Sequence, residues 1–273
     1  MALRPELGLM ITTKEFIKNR KGQKLAVLVE RQENQKGLTF VMHGLGGFKE
    51  QPHIQVFARA FLDNDYTVVR FDTTNTFGES DGNYEDATTT NYYEDLEDVI
   101  EWAKSQEWHK EPFCLAGHSL GGVCTALYAE KHPEKIQALA PISTVVSGKL
   151  SIETPAHQQV AEEWERTGWR EQPSGSIPGL VKRLKWSHVE DRLKYDLLQN
   201  VNHLIMPVLL IVGERDINTP PEHHQLLYEK LPGKREIHII KGVDHDFRSN
   251  GELSEAALKE IKQIFDKWIK SLE

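Results

Sequence analysis

Seven short apolar runs rich in β-formers alternate with longer helical stretches, a rhythm that predicts parallel strands layered with helices. The runs are 24–30 (KLAVLVE), 38–43 (LTFVMH), 67–72 (TVVRFD), 112–117 (PFCLAG), 136–142, 207–213 (PVLLIVG) and 235–240 (REIHII). Several are almost continuously apolar, as strands covered on both faces must be. The stretch 14–30 alternates more and predicts an antiparallel first pair, with a polar turn over 31–37. Helical stripes lie between the runs. Ile54, Phe57, Ala58, Phe61 and Leu62 mark a helix over 52–63, and Tyr92, Leu96, Val99, Ile100 and Ala103 one over 91–108. Leu258, Ile261, Ile264, Phe265 and Trp268 mark a closing amphipathic helix over 253–272.

The rhythm breaks once, between 143 and 207. Trp164, Trp169 and Trp186 stand there among Pro173, Gly175, Pro178 and Gly179. A βαβ crossover needs far fewer residues, so the excess must form something of its own. Residues 147–200 are read as a cap inserted over the carboxyl edge of the sheet, with 1–146 and 201–273 forming one core domain. The alternative is a decorated surface excursion.

A net charge of -8 argues against nucleic acid as a partner, because phosphate binding needs a concentrated Lys/Arg surface. Residues 1–20 hold no apolar core of signal-peptide length, and no later stretch reaches the roughly 18 apolar residues of a membrane helix. A cytoplasmic protein without membrane insertion is expected. Cys114 and Cys124 both fall in segments read as buried, which predicts reduced core thiols rather than a disulfide. Two cysteines do not complete a metal site, so no metal is expected. A homodimer is left open.

The strongest local signal is Gly117-His118-Ser119-Leu120-Gly121-Gly122, placed between an apolar strand and a helical pattern through Val123, Ala126, Leu127 and Ala129. A strand–turn–helix with small neighbours is what a nucleophile elbow needs. Serine is a poor nucleophile until a base takes its proton, so a histidine and an orienting carboxylate must follow. His245 lies after the last strand, in the glycine-bearing turn 241–247. His132, His157, His188, His223 and His224 sit in helical or cap-like polar settings and are expected to be mostly solvated, and His118 to be structural. Asp216, after the strand 207–213, is preferred as the acid over Glu214, which is expected to pair with Arg215. Asp244 and Asp246 are read as surface or loop-stabilising acids. His43-Gly44-Leu45-Gly46-Gly47 follows the second run, and the Leu45 and Leu120 N–H groups are the natural oxyanion donors. Neither a P-loop nor a dinucleotide spacing is present.

The segments HGLGG (43–47), GHSLGG (117–122), GERD (213–216) and GVDHDF (242–247) together resemble an α/β-hydrolase. Arg70-Phe71-Asp72 with Gly78-Glu79-Ser80-Asp81-Gly82 resembles that family's loop after the fourth strand. The resemblance covers nearly all of the chain outside the insert. It is nearest to small bacterial esterases of the cinnamoyl and feruloyl type and to serine aminopeptidase-like or monoacylglycerol-lipase-like hydrolases. It implies an α/β fold with an eight-stranded, mostly parallel sheet, helices on both faces, an insert over the acyl pocket, and no cofactor. One departure is Thr73-Thr74-Asn75-Thr76-Phe77, where many relatives carry an arginine-glycine or similar pair, which weakens any analogy for substrate choice.

These residues predict a serine hydrolase acting on a small-molecule carboxylic ester with a short or aromatic acyl group. Ser119 is the nucleophile, His245 the base and Asp216 the orienting acid. Trp164 and Trp169 either line an aromatic acyl pocket or form the insert's own small core. A thioesterase, peptidase, carbon–carbon hydrolase or monoacylglycerol-lipase-like enzyme would use the same triad. A non-catalytic binder on the same scaffold, or an interaction protein docking through the insert, is the reading outside enzymology.

Overall fold

A computed structural model describes residues 10–173 and 179–272. The first nine residues, and Gly175 and Pro178 of the insert, lie outside the described residues. Along the chain run β1 (Ile11–Lys18), β2 (Lys24–Arg31), β3 (Gly37–Met42), α1 (Pro52–Leu62), β4 (Tyr66–Asp72) and α2 (Thr89–Ala103). Then come β5 (Phe113–His118), α3 (Leu120–Lys131) and β6 (Ile136–Ile142). After β6 the chain leaves the sheet for α4 (Gly148–Ile152), α5 (Pro155–Gln158), α6 (Ala161–Thr167), β7 (Trp169–Pro173), β8 (Val181–Lys185) and α7 (Ser187–Arg192). It returns as β9 (Val208–Gly213), α8 (Pro221–Lys230), β10 (Arg235–Ile240) and α9 (Glu255–Lys270).

The main sheet has eight strands in the order β1-β2-β4-β3-β5-β6-β9-β10. The β1–β2 pair is antiparallel, as the alternating pattern predicts, and β2 also runs antiparallel to β4; the remaining neighbours are parallel. All seven predicted runs are strands of this sheet. The helix expected over 91–108 ends at Ala103, where the apolar stripe gives way to Lys104-Ser105-Gln106-Glu107. It starts at Thr89 because the Thr88 side chain caps it, accepting from Asn91 N.

Side chains alternate across each strand, so the sheet has two apolar faces. Leu38, Phe40 and Leu115 meet Tyr92, Leu96 and Val123 of α2 and α3 on one face. Val41, Cys114 and Ala116 meet Phe57, Phe61, Ile261 and Phe265 of α1 and α9 on the other, where Phe57 stacks on Phe265 at 5.2 Å. Cys114 and Cys124 are buried free thiols. Among the described residues no helix is long and apolar enough to cross a membrane.

Outside the main sheet, β7 and β8 pair antiparallel, and Trp164 of α6 packs among His157, Trp186 and His188 beside β8. That indole is 1% exposed, donates from Nε1 to Leu184 O at 3.1 Å, and meets Trp186 edge-on at 5.6 Å. Trp164→Ala is expected to cost about 3–5 kcal/mol, the usual range for emptying a buried indole site. Denaturant unfolding measures it; a loss below about 1 kcal/mol would mean that this ring does not hold the segment together.

Candidate active site

Ser119 sits where β5 turns into α3, with φ 54 and ψ -115, a conformation that non-glycine residues rarely adopt. The turn is held by close packing. A Cβ on Gly117 would lie 2.4 Å from Gly121 O, and one on Gly121 would lie 2.4 Å from His43 O. No side chain fits at either position, so the motif's glycines are required by contact distance.

The elbow aims Ser119 Oγ at His245, whose Nε2 lies 2.8 Å away. His245 Nδ1 lies 2.7 Å from Asp216 Oδ2. Asp216 is anchored by β9 and the start of α8: its Oδ1 accepts from Asn218 N and Thr219 N, both at 2.9 Å, and Thr219 Oγ1 donates to Oδ2 at 2.8 Å. Burial raises the Asp216 pKa, but the attraction and hydrogen bond of His245, with the Thr219 bonds, outweigh it and hold the carboxyl at about 2. For His245 burial works against the proton; Asp216, then Asp246 and Asp244, outweigh burial and raise the imidazole to about 9.

Of the other acids weighed, Asp244 accepts from Asp246 N at 3.1 Å and Arg248 N at 2.8 Å, a loop-stabilising role. Glu214 does not pair with Arg215 as expected; it accepts from Gly242 N at 2.8 Å and ties the histidine loop to β9.

The loop after β3 brings Leu45 beside Ser119. The Leu45 N–H donates to no group among the described residues, and Leu120 is the first residue of α3, where helical N–H groups are left over. The loop's shape comes from residues to which the sequence pattern assigns no such role. Gly46 N donates to Tyr92 Oη at 3.1 Å, and the His43 ring, neutral in its buried setting, accepts from Thr73 N at 3.1 Å. Thr76 Oγ1 donates to Gly47 O, and Thr74 donates twice to Asp95. The threonine-rich departure 73–76 is thus a brace for this loop. Lys49, 1% exposed, binds Asp72 and Glu79 at 2.7 Å each, linking the loop to the Arg70-Phe71-Asp72 segment.

The histidine expectations need correcting. His157, His188 and His224 are buried, not solvated. His188 Nδ1 donates to Ala87 O at 3.0 Å, while His224 Nε2 accepts from Thr144 N at 2.8 Å, so helical position concealed a structural bond in each. His118 is structural as expected: Nε2 donates to His245 O at 2.9 Å, and burial with the His245 charge lowers its pKa to about 4. With His53 and Asp246 it forms a group whose candidate ligand atoms lie within 4.8 Å of one another.

A cavity of about 310 Å³ opens at Ser119 and His245, with Leu45, Tyr84 and Val145 on its core side. The insert contributes Ser151, Thr154, Ala156, His157, Arg170, Gln172, Lys182 and Arg192. Trp164 and Trp169 do not line it, which corrects the aromatic-pocket reading. Trp164 is buried in the same core cluster as the α2–α3 face of the sheet, and Trp169 lies beneath the Arg183 guanidinium at 4.3 Å on the far side of β7 from Arg170, which does face the cavity. The period-2 alternation of a strand separates those two neighbours.

Residues 33–177, just over half of the chain, match the family model described as serine aminopeptidase, S33. An uncharacterized 31.7 kDa protein in the traX-finO intergenic region of Escherichia coli is 26% identical over 74% of this chain and 80% of its own length. Palmitoyl-protein thioesterase ABHD10, mitochondrial, of Bos taurus is 25% identical over 83% of this chain and 70% of its own. Among solved structures, Est1E from Butyrivibrio proteoclasticus with ferulic acid bound superposes with a TM-score of 0.74 at 22% identity, over 94% of this chain and 98% of that one. Mouse alpha/beta hydrolase domain-containing protein 10 gives 0.75 at 20% identity, over 96% and 100%. The chain has their fold, and it belongs to the serine aminopeptidase S33 family of α/β hydrolases.

Proposed function

We propose that the protein hydrolyses carboxylic esters with short acyl groups through a Ser119 acyl-enzyme. The observation that carries this is the unbroken line from Ser119 Oγ through His245 to Asp216, at 2.8 and 2.7 Å. Ser119 Oγ bonds to the ester carbonyl carbon as His245 Nε2 takes its proton, and Asp216 stabilises the imidazolium. The Leu45 and Leu120 N–H groups hold the oxyanion. The bond to the alcohol oxygen breaks as that oxygen receives the proton. Water repeats the sequence in reverse to release the acid and restore Ser119. Residues 147–200 act as the cap, since their side chains wall the cavity opposite the elbow.

The polar walls favour a short acyl group over a long alkyl chain. A thioester is the second reading, favoured by the likeness to a named palmitoyl-protein thioesterase. p-Nitrophenyl esters of rising acyl length, methyl ferulate and a matched thioester separate the readings. Turnover falling with acyl length is expected; a preference for the thioester would move the assignment to the second.

The base must be neutral to act, so activity falls as pH drops through the His245 pKa. Because Asp216 raises that pKa above the ordinary 6.5, the acid limb of kcat/KM should lie above pH 6.5. A pH profile reads it directly, and a limb at or below 6.5 would mean that Asp216 does not hold the proton on His245.

A further inference from the structure

Three cations that form no ion pair with a carboxylate among the described residues line the same cavity as Ser119: Arg170 on β7, Lys182 on β8 and Arg192 at the end of α7. The Nε atoms of both arginines are buried and have no hydrogen-bond partner among the described residues. Their supports are neutral. The Arg170 guanidinium lies 5.4 Å over the Trp164 ring, and the Lys182 ammonium 5.5 Å over Phe77. Arg192 Nη2 lies 3.4 Å from His157 Nδ1; burial, then Arg192 and Arg170, push that ring's pKa down to about 4 and keep it uncharged.

Nearby acids are committed elsewhere. Glu171 pairs with Arg183 at 2.8 Å, and Asp191 accepts from Thr90 and pairs with Lys194 at 3.0 Å. Among the described residues Asp246 is the one carboxylate in the lining, against three positive charges. Partly buried like charges repel and lose hydration, and an ion-pair partner removes both penalties. Burial, and then the neighbouring Arg170, lower the Arg192 pKa to about 10.

We infer that the cavity takes a substrate bearing an anionic group, a carboxylate or a phosphate, which Arg170, Lys182 and Arg192 hold while the scissile carbonyl lies at Ser119. Guanidinium forks match either oxyanion with paired, charge-assisted bonds. This specificity rests on the hydrolase reading above, and it deepens it: the insert selects by charge, and the triad performs the cleavage.

The test compares kcat/KM for 4-carboxyphenyl butyrate and monophenyl glutarate, each beside its neutral carboxamide isostere. At least one anionic ester should exceed its isostere by about ten-fold or more, the scale of a desolvated charge pair. Arg170→Gln and Arg192→Gln should bring that ratio toward one, and Arg192→Lys, which keeps the charge, should retain part of it. Isosteres turned over as well as both anionic esters would overturn the proposal. Should no ester be hydrolysed, calorimetry with free glutarate and with inorganic phosphate separates the two claims. Binding of either anion that is lost in the folded Arg170→Gln/Arg192→Gln variant upholds the anion site while the esterase reading falls, and shows which oxyanion is preferred. No binding, or binding unchanged in that variant, overturns the site.

Discussion

Ser119→Ala should reduce ester turnover by a factor on the order of 10⁶, the scale seen when a triad nucleophile is removed. Folding should survive the change. The serine Oγ bonds to His245 Nε2, while the turn itself is held by backbone contacts around Gly117 and Gly121. Alanine meets the same positive-φ strain that serine does, so the melting temperature should move little. Turnover of p-nitrophenyl butyrate beside a thermal melt measures both. Activity within ten-fold of the wild type in a folded variant would remove Ser119 from the chemistry.

Asp216→Asn should lower kcat by about 10⁴ while leaving the loop in place. Asparagine can still accept from Asn218 N and Thr219 N, which hold Oδ1 at 2.9 Å. Its amide group, however, can present N–H to His245 Nδ1, which selects the wrong tautomer and removes the charge that stabilises the imidazolium. The same change removes the main attraction that raises the His245 pKa, so the acid limb of the residual activity should move down. Asp246, the next acid to influence His245, is not hydrogen-bonded to the ring and should not restore the rate. A loss below ten-fold, or a limb that stays put, would mean that another group orients the imidazole.

Much of this was legible from residue patterns because the underlying physics is local. Near-continuous apolar runs of strand length and rich in β-branched residues, such as Val208–Gly213, suit a strand covered on both faces, and Gly117 is dictated by a contact distance to Gly121 four residues on. The positions of Asp216 and His245 after successive strands follow from their place in the chain order. Pairing was harder to see. The strands β2 and β3 are joined by a polar turn, yet β4 lies between them, and that order depends on contacts far apart in sequence.

The cavity walls were the least legible. Trp164 and Arg170 are six residues apart, and composition gave the tryptophans more weight than the arginine. Which of them faces Ser119 depends on how α6, β7 and β8 fold together, and the indole is taken up in the buried core cluster they join. Tyr92 gave a helix-stripe signal only, although its hydroxyl accepts from Gly46 N. The buried Lys49 carried no signal, because a lysine in a loop is ordinarily solvated and its partners Asp72 and Glu79 are distant in sequence. Buried histidines such as His224 were hidden for the same reason: the bond from Thr144 N crosses from one element to another.

The central claim is that Ser119 carries the acyl group, and a covalent trap tests it most directly. A fluorophosphonate should add one phosphonyl group to the wild-type protein in intact mass spectra, and peptide mapping should place it on Ser119. The Ser119→Ala variant should stay unlabelled. An adduct on another residue, or a wild type that stays unmodified at reagent excess while still cleaving esters, would contradict the account.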